Sequence, residues 1–219
     1  MSFDRRAVIR DSLSVAIPVG MYGTAFGAAA VAAGFTVLQS CAFSILLFSG
    51  ASQFAVVGVM GAGGSALSAI ATGALLGIRN GLYGMRLAPS LRFTGWRRFL
   101  GSHITIDEST GVAIAQREEA AMRLGFLVTG VGVFISWNIF TLLGALGAQA
   151  LGNPSVWGLD AAVPAAFLGL VWPRLTSSKV KCAAVAAIIL ALTLSPVMSA
   201  GLPIIATVAI AILLGWRNS

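Results

Sequence analysis

Long apolar stretches separated by short polar connections make up almost the whole chain. Several of them exceed the roughly 18 residues that mark a helix able to cross a membrane. Because the connections are too short to fold separately, we predict one transmembrane domain over residues 1–219, an all-α polytopic helix bundle. The apolar segments are residues 13–35, 38–62, 66–83, 104–115, 124–151, 159–172, 182–194 and 202–216.

The positions of the arginines restrict how these segments cross. Basic residues collect on the cytoplasmic side of membrane proteins, yet a bundle in which every segment crossed would place Arg86 to Arg98 outside. The conflict disappears if segments 38–62 and 104–115 are broken or re-entrant helices that return to the side from which they came. We therefore predict about six full spans, two broken or re-entrant helices, and both termini in the cytoplasm.

Each of these two segments contains a polar break that resembles the start of a helix. The breaks read Ser-Gly-Ala-Ser-Gln at residues 49–53 and Thr-Ile-Asp-Glu-Ser at residues 105–109. One element would enter from outside and the other from inside, with segment 66–83 between them. This is the pattern of an inverted repeat around a site at mid-membrane depth, although the two halves show little internal sequence similarity.

The first break is a candidate substrate-binding site. A half-helix starting near Ser49 would present free backbone N–H groups and its positive dipole end to a carboxylate. Gly50 would allow close approach of the backbone, Ser52 and Gln53 would add side-chain donors, and Phe54 would line an apolar pocket. The alternative is a glycine packing contact whose hydroxyls bond back to their own helix.

Asp107 and Glu108, in the second break, are two of only seven carboxylates. Apolar neighbours disfavour the charged form of a carboxyl group, so one of the two is expected to carry a proton for coupled transport. The alternative is an interfacial N-cap at the start of a helix. His103 lies four residues before Asp107, so on one helix the two would share a face.

Further polar residues interrupt other apolar segments. Arg79, followed by Asn80, either extends to the cytoplasmic headgroups or pairs with Asp107 or Glu108, which makes both residues candidates for an ion pair or a gate. Asn138 is a further candidate for substrate binding. Asp160 lies near the outer end of its segment, where it either gates or caps a helix.

Composition supports a membrane protein and excludes several other classes. The chain is 58% hydrophobic and 10% charged, with a mean hydropathy of +0.92. Its net charge of +7 comes from arginines at the ends of apolar runs, so we expect contact with lipid headgroups and no nucleic acid. One histidine and two dispersed cysteines offer no usual metal site, and nucleotide loops and hydrolase motifs are absent. We therefore expect no enzyme activity, metal or cofactor.

Four motifs, taken in chain order, resemble the AzlC family. They are Phe-Ser-Gly-Ala-Ser-Gln-Phe at 48–54, Arg-Asn-Gly-Leu-Tyr-Gly at 79–84, Ile-Asp-Glu-Ser at 106–109 and Gly-Leu-Asp-Ala-Ala-Val-Pro-Ala-Ala-Phe at 158–167. The resemblance covers nearly the whole chain. It departs from the family at Asn80, where a histidine is frequent, and at Ile106, where a threonine is frequent, so substrate preference and proton handling carry over less directly than the fold.

The resemblance implies the large subunit of a branched-chain amino-acid exporter in the bacterial inner membrane. Such a subunit works with a small membrane partner of the AzlD type. The expected function is efflux of valine, leucine, isoleucine and methionine by proton antiport. Two rival functions remain open at this point, a passive channel and a membrane assembly subunit without transport of its own.

Overall fold

Helices make up the regular structure of the described chain. The computed structural model describes residues 3–152, 165, 168–169, 171–172, 175–210 and 212, and no strand occurs in these ranges. The helices are α1 (Arg5–Met21), α2 (Gly23–Ala32), α3 (Val37–Leu46), α4 (Gly50–Gly61), α5 (Ala66–Leu91), α6 (Gly95–His103), α7 (Asp107–Ala115), α8 (Glu119–Ala150), α9 (Ser178–Leu194) and α10 (Leu202–Ala206).

Two helical stretches are long and apolar enough to cross a membrane. The first is α1 with α2, which together form a 28-residue stretch from Arg5 to Ala32, and the second is the 32-residue α8. At 1.5 Å per residue they measure about 42 and 48 Å, more than the hydrocarbon thickness of about 30 Å. The count of six spans and the inverted repeat stay predictions, since segment 159–172 lies largely, and segment 202–216 partly, outside the described residues.

Both predicted breaks are present, but the second does not divide segment 104–115. It lies at the start of that segment, so the second broken element is residues 95–115. Residues 47–49 separate α3 from α4, and residues 104–106 separate α6 from α7. The four helices beside the breaks have 9 to 12 residues, or about 14 to 18 Å each, roughly half of the hydrocarbon thickness. The breaks therefore fall where two half-length helices meet.

The two broken elements turn back at their breaks. Gly61, at the end of α4, lies against Ala33, which is only four residues before the start of α3. In the second element, α6 runs along α8, with Gly101 near Phe126 and His103 against Phe134. Helix α7 then runs back, so that Gln116 lies against Gly125 of α8. Each broken element therefore starts and ends at a similar height along the bundle.

Helix α8 forms the centre of the described structure, and α1, α2, α3 and α7 pack against it. A seam of glycines brings α2 directly onto the α8 backbone. Gly23 lies on the carbonyl of Trp137, Gly27 lies on the carbonyl of Thr141, and Gly144 of α8 lies on Thr24. Small residues permit such close approach because no side chain separates the backbones. These contacts fix the backbone of Trp137. They also show that α2 and α8 run parallel to each other.

We expect Gly27→Leu to disrupt this packing strongly. Even a Cβ at residue 27 would overlap the Thr141 carbonyl oxygen, so the two backbones must separate. The cost should reach the upper end of the roughly 1–3 kcal/mol typical of overpacking. Thermal unfolding and size-exclusion profiles of purified protein would measure the loss. The matched control is Gly147→Leu on α8, where an added Cβ meets no described atom within 4 Å; equal stability of the two variants would contradict the close packing.

Candidate functional site

The two breaks open into the same cavity, which has a volume of about 170 Å³. This is below the roughly 300–1,000 Å³ of pockets for drug-sized ligands, so the cavity suits a small molecule. Polar groups come from the breaks and from α5, whereas the remaining wall is mostly apolar. The main polar residues are Ser49, Arg79, Asn80, Asp107 and Glu108, and the main apolar ones are Val19, Phe48, Phe54, Ile106, Val133 and Trp137.

The N-terminus of α4 forms one side of the cavity. Ser49 has an extended backbone, and no side chain in the described residues caps the first turn; the Ser49 hydroxyl instead donates to Ser52 Oγ at 3.2 Å. Gly50 lies at the wall, where an added Cβ would be 3.1 Å from Cη2 of Trp137. The first N–H groups of a helix carry partial positive charge, so this side of the cavity favours an anion.

Gln53 holds the first break together. Its side chain is fully buried, and Nε2 donates to the carbonyl of Ser44 at 3.2 Å and to that of Leu47 at 2.7 Å. These carbonyls belong to the last turn of α3 and to the break, where helical partners are missing. Gln53 and the fully buried Ser52 do not line the cavity, so the structure places both predicted donors behind its wall.

The lining also includes the carboxylates of Asp107 and Glu108, the first two residues of α7. Oδ2 of Asp107 lies 2.7 Å from Nη1 of Arg79, and the two side chains are only 20% and 26% exposed. Of the two interpretations of Arg79, the structure shows the ion pair. Removing one member of such a pair leaves an uncompensated charge in a poorly hydrated place, which is costly.

The second break is supported by hydrogen bonds of its own. Ser109 Oγ accepts from the Ile106 N–H at 3.0 Å and donates to the Ile104 carbonyl at 2.7 Å. The expectation that His103 and Asp107 share a helix face is wrong, because the break separates them onto α6 and α7. His103 instead packs between the rings of Phe48 and Phe134, with centroids 6.1 and 5.6 Å away.

An aromatic cluster forms the apolar wall. Phe54 meets Trp137 edge-on at a centroid distance of 6.4 Å and meets Phe26 edge-on at 5.7 Å. The motifs did not predict Trp137 as a site residue. The sequence features that accompany Trp137 are two glycines. Gly50 leaves room for its indole ring, and Gly23 leaves room for its backbone carbonyl.

Of the remaining predicted candidates, neither Asn138 nor Asp160 is among the described lining residues of this cavity. Asn138 Nδ2 donates to the carbonyl of Phe134 at 2.8 Å within α8, and the residue is not part of the lining. Asp160 lies outside the described residues. Within the described ranges no group of three or more His, Cys, Asp or Glu side chains could hold a metal ion.

Comparison with known proteins decides the family. A family model described as AzlC protein matches residues 14–151, more than half of the chain. The chain belongs to the AzlC family. An uncharacterized membrane protein of Archaeoglobus fulgidus is 30% identical over 98% of both chains. The inner membrane protein YgaZ of Escherichia coli K12 is 30% identical over 74% of this chain and 69% of its own. No solved structure matches.

The family match and the cavity coincide. Apart from Gly169, every residue that lines the cavity lies within the matched range. The protein is therefore a membrane protein of the AzlC family whose described regular structure is helical, and its candidate site falls almost entirely within the range that matches the family.

Proposed function

We propose that this AzlC-family protein is a secondary active transporter that exports valine, leucine, isoleucine and methionine from the bacterial cytoplasm. One observation carries the proposal: a single small cavity joins a helix N-terminus, two carboxylates and an apolar wall. A branched-chain amino acid has the three complementary parts, an α-carboxylate, an α-ammonium group and an aliphatic side chain. The helix N-terminus can then receive the α-carboxylate, and the carboxylates of the cavity can receive the α-ammonium group.

In the bound state the substrate carboxylate lies at the N–H groups that begin with Gly50. The ammonium group lies on the side of Glu108 and Asp107, and the aliphatic side chain packs against Phe54 and Trp137. Burying a branched side chain contributes roughly 1.5–3 kcal/mol, and each methylene about 0.8 kcal/mol. Polar contacts therefore select amino acids as a class, whereas the apolar wall distinguishes valine from leucine only by a small factor.

Proton antiport follows from the Arg79–Asp107 pair. While Asp107 is ionised, it neutralises Arg79 and holds α5 against the start of α7. Protonation removes that attraction, so Arg79 is released and the two helices can separate. Loading and unloading of this proton on opposite sides of the membrane would couple substrate export to the proton gradient.

The turn-back of both broken elements supports the predicted topology. If neither element crosses, α5 is the one crossing between α2 and α8, which agrees with the parallel course of α1–α2 and α8. The end of the bundle where Arg92 pairs with Glu119 at 3.1 Å then collects the arginines of residues 86–98, and the positive-inside rule places it in the cytoplasm. The start of α1 lies at that end, because Val8 lies against Gly125 of α8, and we propose that both termini are cytoplasmic.

We expect a single cysteine at Ser65, between α4 and α5, to react with reagents on the outer face. The variant is made after Cys41→Ser and Cys182→Ser, and a membrane-impermeant maleimide is applied to right-side-out and inverted vesicles. Labelling confined to the cytoplasmic face would contradict the re-entrant arrangement of α3 and α4. A cysteine at Arg97, which should label from the cytoplasm, serves as the control.

Transport of labelled valine into proteoliposomes tests the function itself. We expect uptake driven by a pH gradient, with a small AzlD-type membrane partner present. A passive channel would equilibrate valine without responding to the gradient, and a non-transporting assembly subunit would move none in either condition, with or without the partner. The small and largely apolar cavity favours a carrier, because a channel needs a continuous polar lining.

A further inference from the structure

A second, larger cavity of about 640 Å³ lies between α5 and α6. The proposed transport function does not yet use it. Asn80 lines both this cavity and the substrate cavity, so the two cavities adjoin at this residue. The second cavity also includes Leu91, at the end of α5, and Arg98 of α6. It therefore extends from mid-depth to the end of the bundle where Arg92 pairs with Glu119.

The α5 wall of the second cavity is bare. Gly81 and Gly84 lie one turn apart, and an added Cβ at either position would meet no described atom within 4 Å. These glycines are therefore not required for helix packing in the described structure, unlike those on α2. Their absent side chains keep the second cavity open along the face that leads to Asn80.

Asn80 places a buried acceptor at the boundary between the two cavities. Its Oδ1 is buried and has no hydrogen-bond partner among the described residues. A buried acceptor without a partner is costly, and such groups commonly serve a ligand or a second conformation. At this boundary the Asn80 oxygen can accept a hydrogen bond from the ammonium group of a passing substrate. When no substrate is present, the side chain narrows the connection between the two cavities.

We propose that the second cavity is the cytoplasmic vestibule of the transporter and that Asn80 forms the constriction between it and the substrate cavity. The proposal rests on the proposed transport function and adds the route by which a small zwitterion arrives. Substrate enters along the bare face of α5, passes Asn80, and reaches the N-terminus of α4. Bulk at residue 84 closes this route without altering the substrate cavity.

Access can be measured without amino-acid transport. Ala51 lines the substrate cavity, so Ala51→Cys, made after Cys41→Ser and Cys182→Ser, reports entry of a small membrane-impermeant thiol reagent in inverted vesicles. We expect Gly84→Trp to slow labelling at least tenfold. Gly147→Trp is the matched control, because its added Cβ also meets no described atom within 4 Å and it lies away from both cavities; it should change the rate less than twofold.

The opposite change should widen the constriction. We expect Asn80→Ala to accelerate labelling of the same cysteine severalfold, and Gly81→Leu to repeat the block if Gly84→Trp does not yield folded protein. Unchanged labelling in folded Gly84→Trp and Gly81→Leu, or equal slowing by Gly147→Trp, overturns the vestibule. Failure of wild-type protein to transport valine refutes the proposed function instead, because the labelling rates do not depend on transport.

Discussion

Asp107→Asn is expected to abolish the response of valine flux to a pH gradient while valine exchange at equal pH continues. Asparagine has nearly the shape of aspartate, but its amide does not take up or release a proton. It also removes the negative partner that lies 2.7 Å from Arg79, so the pair can no longer alternate between a closed, ionised state and an open, protonated one. Coupling is lost because the proton has no place on the transporter.

Gradient-driven flux and equal-pH exchange are measured on the same proteoliposomes, with Glu108→Gln as the matched control one residue along α7. Glu108 lines the cavity, so its amide variant should weaken valine binding but keep the gradient dependence. If both variants keep the wild-type dependence, another group carries the proton. If only Glu108→Gln loses it, the coupling role moves to Glu108.

A stability cycle separates loss of coupling from loss of fold. Removing one member of a fully buried pair costs about 3–5 kcal/mol, because the remaining charge is left without compensation. Arg79 and Asp107 keep 26% and 20% of their side-chain surface exposed, so we expect a smaller loss. Arg79→Gln and Asp107→Asn should each lower the thermal midpoint, and the double variant should recover a large part of the loss. If the double variant loses as much stability as the two single variants together, the two side chains do not interact.

The breaks could be predicted from sequence because their signals are local. Ser49 followed by glycine, and the acidic pair at 107–108, mark helix starts inside apolar runs, and α4 and α7 begin at Gly50 and Asp107. Helix ends were predicted less well. Helix α5 runs to Leu91 although its apolar segment stops at residue 83, since backbone hydrogen bonding continues beyond the part that hydropathy marks as buried. Helix α6 was not predicted at all, because Arg97, Arg98 and His103 make its sequence too polar for a search by hydropathy.

The partners of individual side chains could not be predicted from sequence. Gln53 and Asp107 both lie at polar breaks, yet Gln53 bonds the break internally whereas Asp107 faces the cavity. Which of these happens depends on the neighbouring helices, here the approach of α5 with Arg79 and of α8 with Trp137. Spacing along one chain carries no information on that approach, which is also why the predicted shared face of His103 and Asp107 was wrong.

Gly50→Val should remove substrate binding almost completely. A Cβ at residue 50 would already lie 3.1 Å from the Trp137 ring, and valine adds two methyl groups at the place proposed for the substrate carboxylate. The indole cannot retreat freely, because the rings of Phe26 and Phe54 pack against it. We expect affinity to fall at least a hundredfold. Gly147→Val, placed where an added Cβ meets no described atom, should bind normally.

Gln53→Ala should weaken binding by a different route. It removes both hydrogen bonds that hold the α3–α4 break, so the N–H groups of α4 lose their fixed direction while the apolar wall remains. Valine, leucine and methionine should therefore weaken by a similar factor, about tenfold, since each buried hydrogen bond contributes on the order of 1 kcal/mol. Calorimetry on folded, purified variants with the three amino acids measures both effects. Unchanged affinity in Gly50→Val and Gln53→Ala would place the substrate elsewhere, and selective loss of one amino acid in Gln53→Ala would mean that Gln53 shapes the apolar wall and not the carboxylate site.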